Sequence, residues 1–160
     1  MNYYIIIPAH NEDQYLKDTL QSVVTQTMPP KKVVVVNDNS IDNTELIIDR
    51  FASAHEFITK VNTKSSTAHM PGSKVINAFN KGLELLDENY DFLVKLDADI
   101  ILPDTYFERI AQIFSSDPKI GIAGGFAFEQ NKNGEWALNH PMDKNHVRGA
   151  FKAYRKGLCY

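Results

Sequence analysis

Cysteine is nearly absent: Cys159 is the only one in 160 residues, which excludes an internal disulfide and any cysteine-based zinc pattern. A basic surplus is absent as well. Lys and Arg number 17 against 20 Asp and Glu, a net charge of −3, which excludes nucleic acid as the main partner because phosphate-backbone binding needs a basic surplus or patch. No apolar run approaches the roughly 20 residues of a membrane span. The opening residues, MNYYIIIPAHNE, lack the basic start and small-residue cleavage site of a secretory signal, so a cytoplasmic location is the default expectation. Five histidines are scattered without ligand spacing, and no glycine-rich phosphate loop stands near the start. Nor is there a stretch biased to Pro, Ser, Gly or one sign of charge. Residues 1–160 are therefore expected to form one domain, long enough to bury about 70% of its unfolded surface.

What is present is an alternation of apolar runs and amphipathic stretches. Tyr3 to Ile7 reads as a strand stopped by Pro8, and Ala9-His10-Asn11-Glu12 as the loop after it. Asn11 with Gln14 then predicts a helix cap, with Leu16, Leu20, Val23 and Val24 on one face. Val33 to Val36 is an uninterrupted apolar run of the kind buried on both faces of a parallel sheet, followed by a loop from Asn37 to Asp42. Asp42 and Glu45 form a second cap-like pair, ahead of a helix carrying Leu46, Ile47, Phe51 and Ala54. Phe57 to Val61 predicts a short third strand, and the spacing of Val75, Ile76, Phe79, Leu83 and Leu86 predicts a helix that hands over to the next strand.

The next strand, Phe92 to Leu96, runs into Asp97-Ala98-Asp99. Two carboxylates cannot stay ionised inside a buried strand without partners, so the pair is expected where the strand emerges into a cleft. Oxygen-only ligands suit Mg²⁺ or Mn²⁺, and these in turn suit phosphates; a solvated Asp-rich turn is the plainer reading of the same triplet. Pro103 reads as a first helical residue before Phe107, Ile110, Ala111 and Phe114, and Ile120 to Phe128 as a strand in which Gly124-Gly125 admits a close backbone approach. Asn133-Gly134 predicts a hairpin turn returning through Trp136 to Leu138, with Trp136 as core or hairpin packing. The whole predicts a three-layer α/β/α sandwich around a mainly parallel sheet, with the loops after Ile7, Val36 and Leu96 opening on one edge.

Three motifs in this order, Ile5-Ile6-Ile7-Pro8-Ala9-His10-Asn11-Glu12, Val36-Asn37-Asp38-Asn39-Ser40-Ile41-Asp42-Asn43-Thr44 and Leu96-Asp97-Ala98-Asp99, resemble the family 2 glycosyltransferases of the GT-A fold. The resemblance covers Tyr3 to about Tyr160. It implies transfer of a sugar from a nucleotide diphosphate, UDP first, to a glycan or lipid-linked acceptor, with inversion and with Mn²⁺ or Mg²⁺. By resemblance, Pro8, Ala9, His10, Asn11 and Glu12 line the nucleotide pocket, and Asp38 accepts a hydrogen bond from the base. Asp97 meets ribose or metal-bound water and counts with Asp99, the direct ligand, among the metal-site residues, and Lys74 lies near the phosphates. Local readings of the same residues stand beside these: an Asx turn for Asp38, helix-start stabilisation for Glu12, a solvated side chain for Lys74. His140 and His146 are expected as ordinary surface or packed residues.

One departure qualifies the resemblance. Members of the family normally continue to an acidic motif, often Glu-Asp, that supplies the general base; beyond Glu135 the only acidic residue is Asp143, in unrelated surroundings. The expectation is a C-terminally truncated, donor-binding portion without its catalytic base. A non-enzymatic nucleotide-binding or regulatory module on the same fold is the alternative, and a nucleotidyltransferase is disfavoured by the missing glycine-rich loop. The chain carries no signature of oligomeric state.

Overall fold

Apolar strand interiors such as Tyr3 to Ile7 and Val33 to Val36, buried on both sides, need a covering layer on each face of the sheet, and the computed structural model supplies both. It describes residues 1–64, 72–138 and 147–158; His140, Asp143, His146, Cys159 and most of the polar stretch 62–72 lie outside the described residues. Strands β1 (Tyr3–Ala9), β2 (Lys32–Asp38), β3 (Ile58–Thr63) and β4 (Phe92–Leu96) are parallel. The strand β8 (Phe151–Arg155) is antiparallel to β4 and to the short edge strand β5 (Ile122–Ala123). The order across the sheet is β3-β2-β1-β4-β8-β5.

Alternate residues of the central strands feed two cores. Tyr3, Ile5, Ile7, Val33, Val35 and Val94 face the helices α1 (Leu16–Val24), α2 (Thr44–Ala54) and α4 (Tyr106–Ser116). Tyr4, Ile6, Val34, Val36 and Leu93 face α3 (Ser73–Leu83). The three-layer α/β/α arrangement is therefore as the apolar pattern predicts.

Several details differ from the sequence reading, each for a local reason. The first strand does not stop at Pro8 but runs on to Ala9, with Pro8 opposite Val36. The β1–β4 ladder ends at Ile6, so Pro8 has a strand on one side only, where a residue without an N–H is tolerated. Likewise β2 continues through Asn37 and Asp38, which pair with Asn62 and Thr63. Asn11 does not cap α1: the helix starts at Leu16, and Asn11 adopts a left-handed φ of 50° five residues earlier. Pro103 precedes α4 rather than opening it.

Helix α3 forms as expected but buries Ala78, Phe79 and Gly82, leaving Val75 and Ile76 exposed. A Cβ at Gly82 would lie 2.7 Å from Cγ2 of Ile6 and 3.0 Å from Cγ2 of Val36, so the missing side chain lets the helix backbone rest on the sheet. The expected strand from Ile120 to Phe128 is split. Ile122–Ala123 joins β8, whereas β6 (Phe128–Gln130) pairs with β7 (Trp136–Leu138) in a separate hairpin whose turn holds Gly134 at φ 81°. Between them Gly124 and Gly125 pass so close to Val147 and Tyr106 that Cβ atoms there would stand 2.4 and 3.1 Å from those side chains. No helix among the described residues is long and apolar enough to cross a membrane.

Candidate functional site

Because β1, β2 and β4 are parallel neighbours, the segments that follow them share the carboxyl edge of the sheet. The first two are stapled together. His10 Nδ1 lies 2.6 Å from the Asp38 carbonyl, which can only accept, so the proton sits on Nδ1 and leaves Nε2 to accept from Asn11 Nδ2 at 3.3 Å. The Asn11 amide donates to Ser40 Oγ at 3.0 Å, and Asn11 Oδ1 accepts from the Ile41 amide at 2.8 Å. Glu12 N–H donates to Thr44 Oγ1 at 2.8 Å. Asp42 takes the Thr44 and Asp13 amides at 2.9 and 3.2 Å; its partner in the predicted cap, Glu45, turns instead to Lys60 at 2.7 Å.

The third segment is fixed from both sides. Asp97 N–H donates to the Ala150 carbonyl at 2.8 Å, and the buried Thr19 of α1 donates from Oγ1 to the Ala98 carbonyl at 2.9 Å. This holds the turn against α1 and the start of β8. Lys95, in the last turn of pleat before the strand ends, places Nζ 2.5 Å from Asp97 Oδ1. Asp99 is exposed.

Electrostatics show that the acidic segments converge. Burial pushes the Glu12 carboxyl above its usual range, and the charges of Asp99, Asp97 and Asp42 push it the same way, opposed by His10. Glu12 thus feels both aspartates of the triplet, as the common sheet edge predicts. Among the described residues no three His, Cys, Asp or Glu side chains form a metal site by themselves. A cation held by one or two carboxylates and completed by phosphate oxygens and water needs no such group, and the all-oxygen donors Asp97 and Asp99 fit Mg²⁺ or Mn²⁺ in that mode.

Pro8 and Ala9 lie within β1, with Ala9 buried, whereas His10 and Asn11 are exposed at its end. Asp38 is the buried last residue of β2. Lys74 is exposed in the first turn of α3, and among the described residues no ion pair ties it to the acidic segments. Sequence reasoning missed Lys95, although a lysine two residues before an aspartate at a strand end shares its face; it also missed Ser40 and Thr44, whose partners lie some thirty residues away.

Two cavities flank the site. A cavity of about 370 Å³ on the α2 side of β2 and β3 is lined by Asn37, Asn39, Glu45 and Asn62. A larger, mostly apolar one of about 680 Å³ starts at Asp99 and is lined by Ile101, Tyr106, Ile113, Phe128 and Trp136 among others. Trp136 is 62% exposed, so it is not core. Tyr106, its hydroxyl pushed up to about 12 by burial, donates to the Phe151 carbonyl and accepts the Gly125 amide, both at 3.1 Å, which clamps the glycine pair on the cavity wall.

The model of the family described as glycosyl transferase family 2 matches residues 4–159. A poly-beta-1,6-N-acetyl-D-glucosamine synthase of Staphylococcus epidermidis is 30% identical over 128 residues, covering 80% of this chain and 29% of that protein. The chain thus spans less than a third of the length of the curated relatives it matches. Among solved structures, the mannosyltransferase PcManGT of Pyrobaculum calidifontis, in complex with GDP-Man and Mn²⁺, superposes with a TM-score of 0.69 at 21% identity, over 96% of this chain and 44% of that one. TarS of S. aureus in complex with UDP-GlcNAc gives 0.57 at 20% identity, over 72% and 32%. At these identities the structural likeness shows the fold alone, and that fold is the GT-A arrangement.

Proposed function

The chain belongs to glycosyl transferase family 2, and from that premise we propose that its acidic sheet edge binds a nucleotide diphosphate sugar, UDP-linked first, together with Mn²⁺ or Mg²⁺. The observation that carries this reading is that the segments after the parallel neighbours β1, β2 and β4 meet at one sheet edge with Asp99 exposed there; burial first, and then the charges of Asp99 and Asp97, raise the Glu12 carboxyl. Like charges gathered at a strand edge are unfavourable until a cation neutralises them. The names of the relatives, a poly-N-acetylglucosamine synthase and a protein solved with UDP-GlcNAc, support a UDP-sugar as donor.

Each residue then has a task its chemistry suits. Asp38, acceptor-only when ionised, takes the imide N–H of the base, with Pro8 to Glu12 walling the nucleoside. Asp97 takes a ribose hydroxyl or a metal-bound water, and Asp99 ligates the cation. Lys74 enters from the first turn of α3 toward the phosphates. The cation, when bound, offsets the negative charge that grows on the departing phosphate, a stabilisation larger in the transition state than in the ground state. A hydroxyl acceptor of glycan or lipid-linked type is assigned to the cavity that begins at Asp99, and transfer proceeds with inversion. Of the carboxylates at this edge, Asp38, Asp97 and Asp99 serve the donor and its cation, whereas Asp42 holds the Thr44 and Asp13 amides. None of the described residues is assigned as the base for the acceptor hydroxyl, so residues 1–160 act as a donor-binding unit with slow turnover of their own.

Isothermal titration of UDP with and without Mn²⁺, after circular dichroism confirms folding, tests the proposal. Expected is binding that Mn²⁺ strengthens and that Asp99→Ala weakens by about tenfold or more, the factor that about 1.4 kcal/mol represents. Metal-independent binding, or binding indifferent to Asp99→Ala, overturns it.

A further inference from the structure

Lys95 is the single charge in β4, whose other residues, Phe92, Leu93, Val94 and Leu96, are fully buried. Its ammonium is poorly placed for stability alone. Strand alternation sets it on the α3 face of the sheet, its side chain is only 19% exposed, and directly across the ladder stands Lys152 of β8. Like charges opposite one another on adjacent strands are destabilising, and an apolar residue would suit a half-buried strand position better. Among the described residues its compensation is the 2.5 Å ion pair with Oδ1 of Asp97, whose own side chain is 38% exposed.

That pair has a directional consequence. Oδ1 of Asp97 is occupied from within the sheet, the Asp97 amide is occupied by Ala150, and the turn is tied to α1 through Ala98. The carboxylate is thereby prevented from rotating to present both oxygens outward, which bidentate metal ligation would require. We infer that Lys95 is a positioning residue: it fixes Asp97 with one oxygen directed to the nucleoside part of the donor and so separates the task of Asp97 from metal ligation by Asp99. This rests on the donor-binding reading above.

A double-mutant cycle on UDP affinity tests it, each variant measured in Mn²⁺ and in EDTA. Lys95→Met should weaken UDP about tenfold in both conditions, leaving the ratio between them unchanged, because the metal stays on Asp99. In an Asp97→Ala background, Lys95→Met should have almost no further effect, and Lys95→Arg should keep most of the wild-type affinity. Lys95→Gln serves as the second probe if the Met variant does not fold, with the same expectation. An undiminished effect in the Asp97→Ala background would make Lys95 a direct ligand contact or a merely structural residue and overturn the inference. So would a loss confined to the Mn²⁺ condition. If the wild-type chain binds no UDP even with Mn²⁺, the donor reading falls and this inference with it; wild-type binding with an unaffected Lys95→Met variant removes only the inference about Lys95.

Discussion

Asp87 at the amino end of the parallel strands and Glu12 at their carboxyl end stand in opposite charge environments. At the amino end Asp87 receives the Tyr4 hydroxyl at 2.5 Å, Lys32 Nζ at 2.6 Å and the Asn89 amide at 2.9 Å, and the lysine first, then the tyrosine and the amide, hold its carboxyl well below the usual range. Asp91 takes the Asn2 amide at 2.6 Å beside it. Both of these acids have met a donor. At the carboxyl end Glu12 is instead pushed up by burial and by neighbouring aspartates, and Lys95 is the cation that answers Asp97. Asp87 and Asp91 are satisfied as folded, whereas Glu12 stays among like charges, which in the proposed reading a bound cation answers.

The sharpest way to break that contrast is to neutralise the carboxyl end. Asp99→Asn should abolish the Mn²⁺ enhancement of UDP binding, about a tenfold loss or more, while leaving the unliganded protein as stable as before or slightly more so, because a like charge has gone from beside Glu12. Titration calorimetry and thermal melts on the same samples read the two effects together. A clear fall in melting temperature would show that the acidic edge is structural after all.

Next in size is the reverse case. Tyr4→Phe removes one buried hydroxyl from the amino end and should cost about 1 kcal/mol, the net worth of an intramolecular hydrogen bond, without altering UDP affinity. Urea denaturation with unchanged m-value and shifted midpoint is the expected record. A smaller effect of opposite sign is expected from Glu12→Gln: stabilisation of about 0.5 kcal/mol at neutral pH, or about 1–2 °C in Tm for a domain of this size.

The two ends also predict opposed pH limbs. Asp87 has a depressed folded-state pKa, so its stabilisation is complete above the ordinary carboxylate value and is lost as pH falls through it toward the depressed one. Glu12 has a raised pKa. Its destabilisation is fully present above the raised value and is relieved as pH falls through that value toward the ordinary one, a window lying above that of Asp87. Asp87→Asn should therefore flatten the acid loss of stability, whereas Glu12→Gln should remove the gain on mild acidification. Denaturation midpoints between about pH 2 and 6, spanning the ordinary carboxylate range, would separate them.

The sheet was legible because its strands are unmistakable: Tyr3 to Ile7, Val33 to Val36 and Phe92 to Leu96 contain too little polarity for a solvated face, and Asp97-Ala98-Asp99 was correctly placed just where β4 ends. The helices were legible in position but not in facing. Val75 and Ile76 look like an apolar stripe, yet Gly82 settles which side of α3 lies on Ile6 and Val36, and a glycine contributes nothing to an apolar pattern. Asn11 misled for a related reason. Its side chain suits a helix cap, but a partner at Ile41 was available once β1 and β2 paired, and the longer-range hydrogen bond prevailed.

What the sequence by itself determined is which residues must be buried and which loops follow parallel strands, since hydrophobic burial depends on composition along the chain and its consequences are local in period. That sufficed to bring Glu12, Asp38, Asp97 and Asp99 to one edge. Only the tertiary structure decided how those groups act on one another: that Glu12 feels Asp99 and Asp97, that Lys95 holds one oxygen of Asp97, and that an apolar cavity walled by Tyr106 and Trp136 opens beside Asp99. Coulombic coupling and hydrogen bonds act over a few ångströms of space, and residues dozens of positions apart acquire those distances only when the sheet is formed.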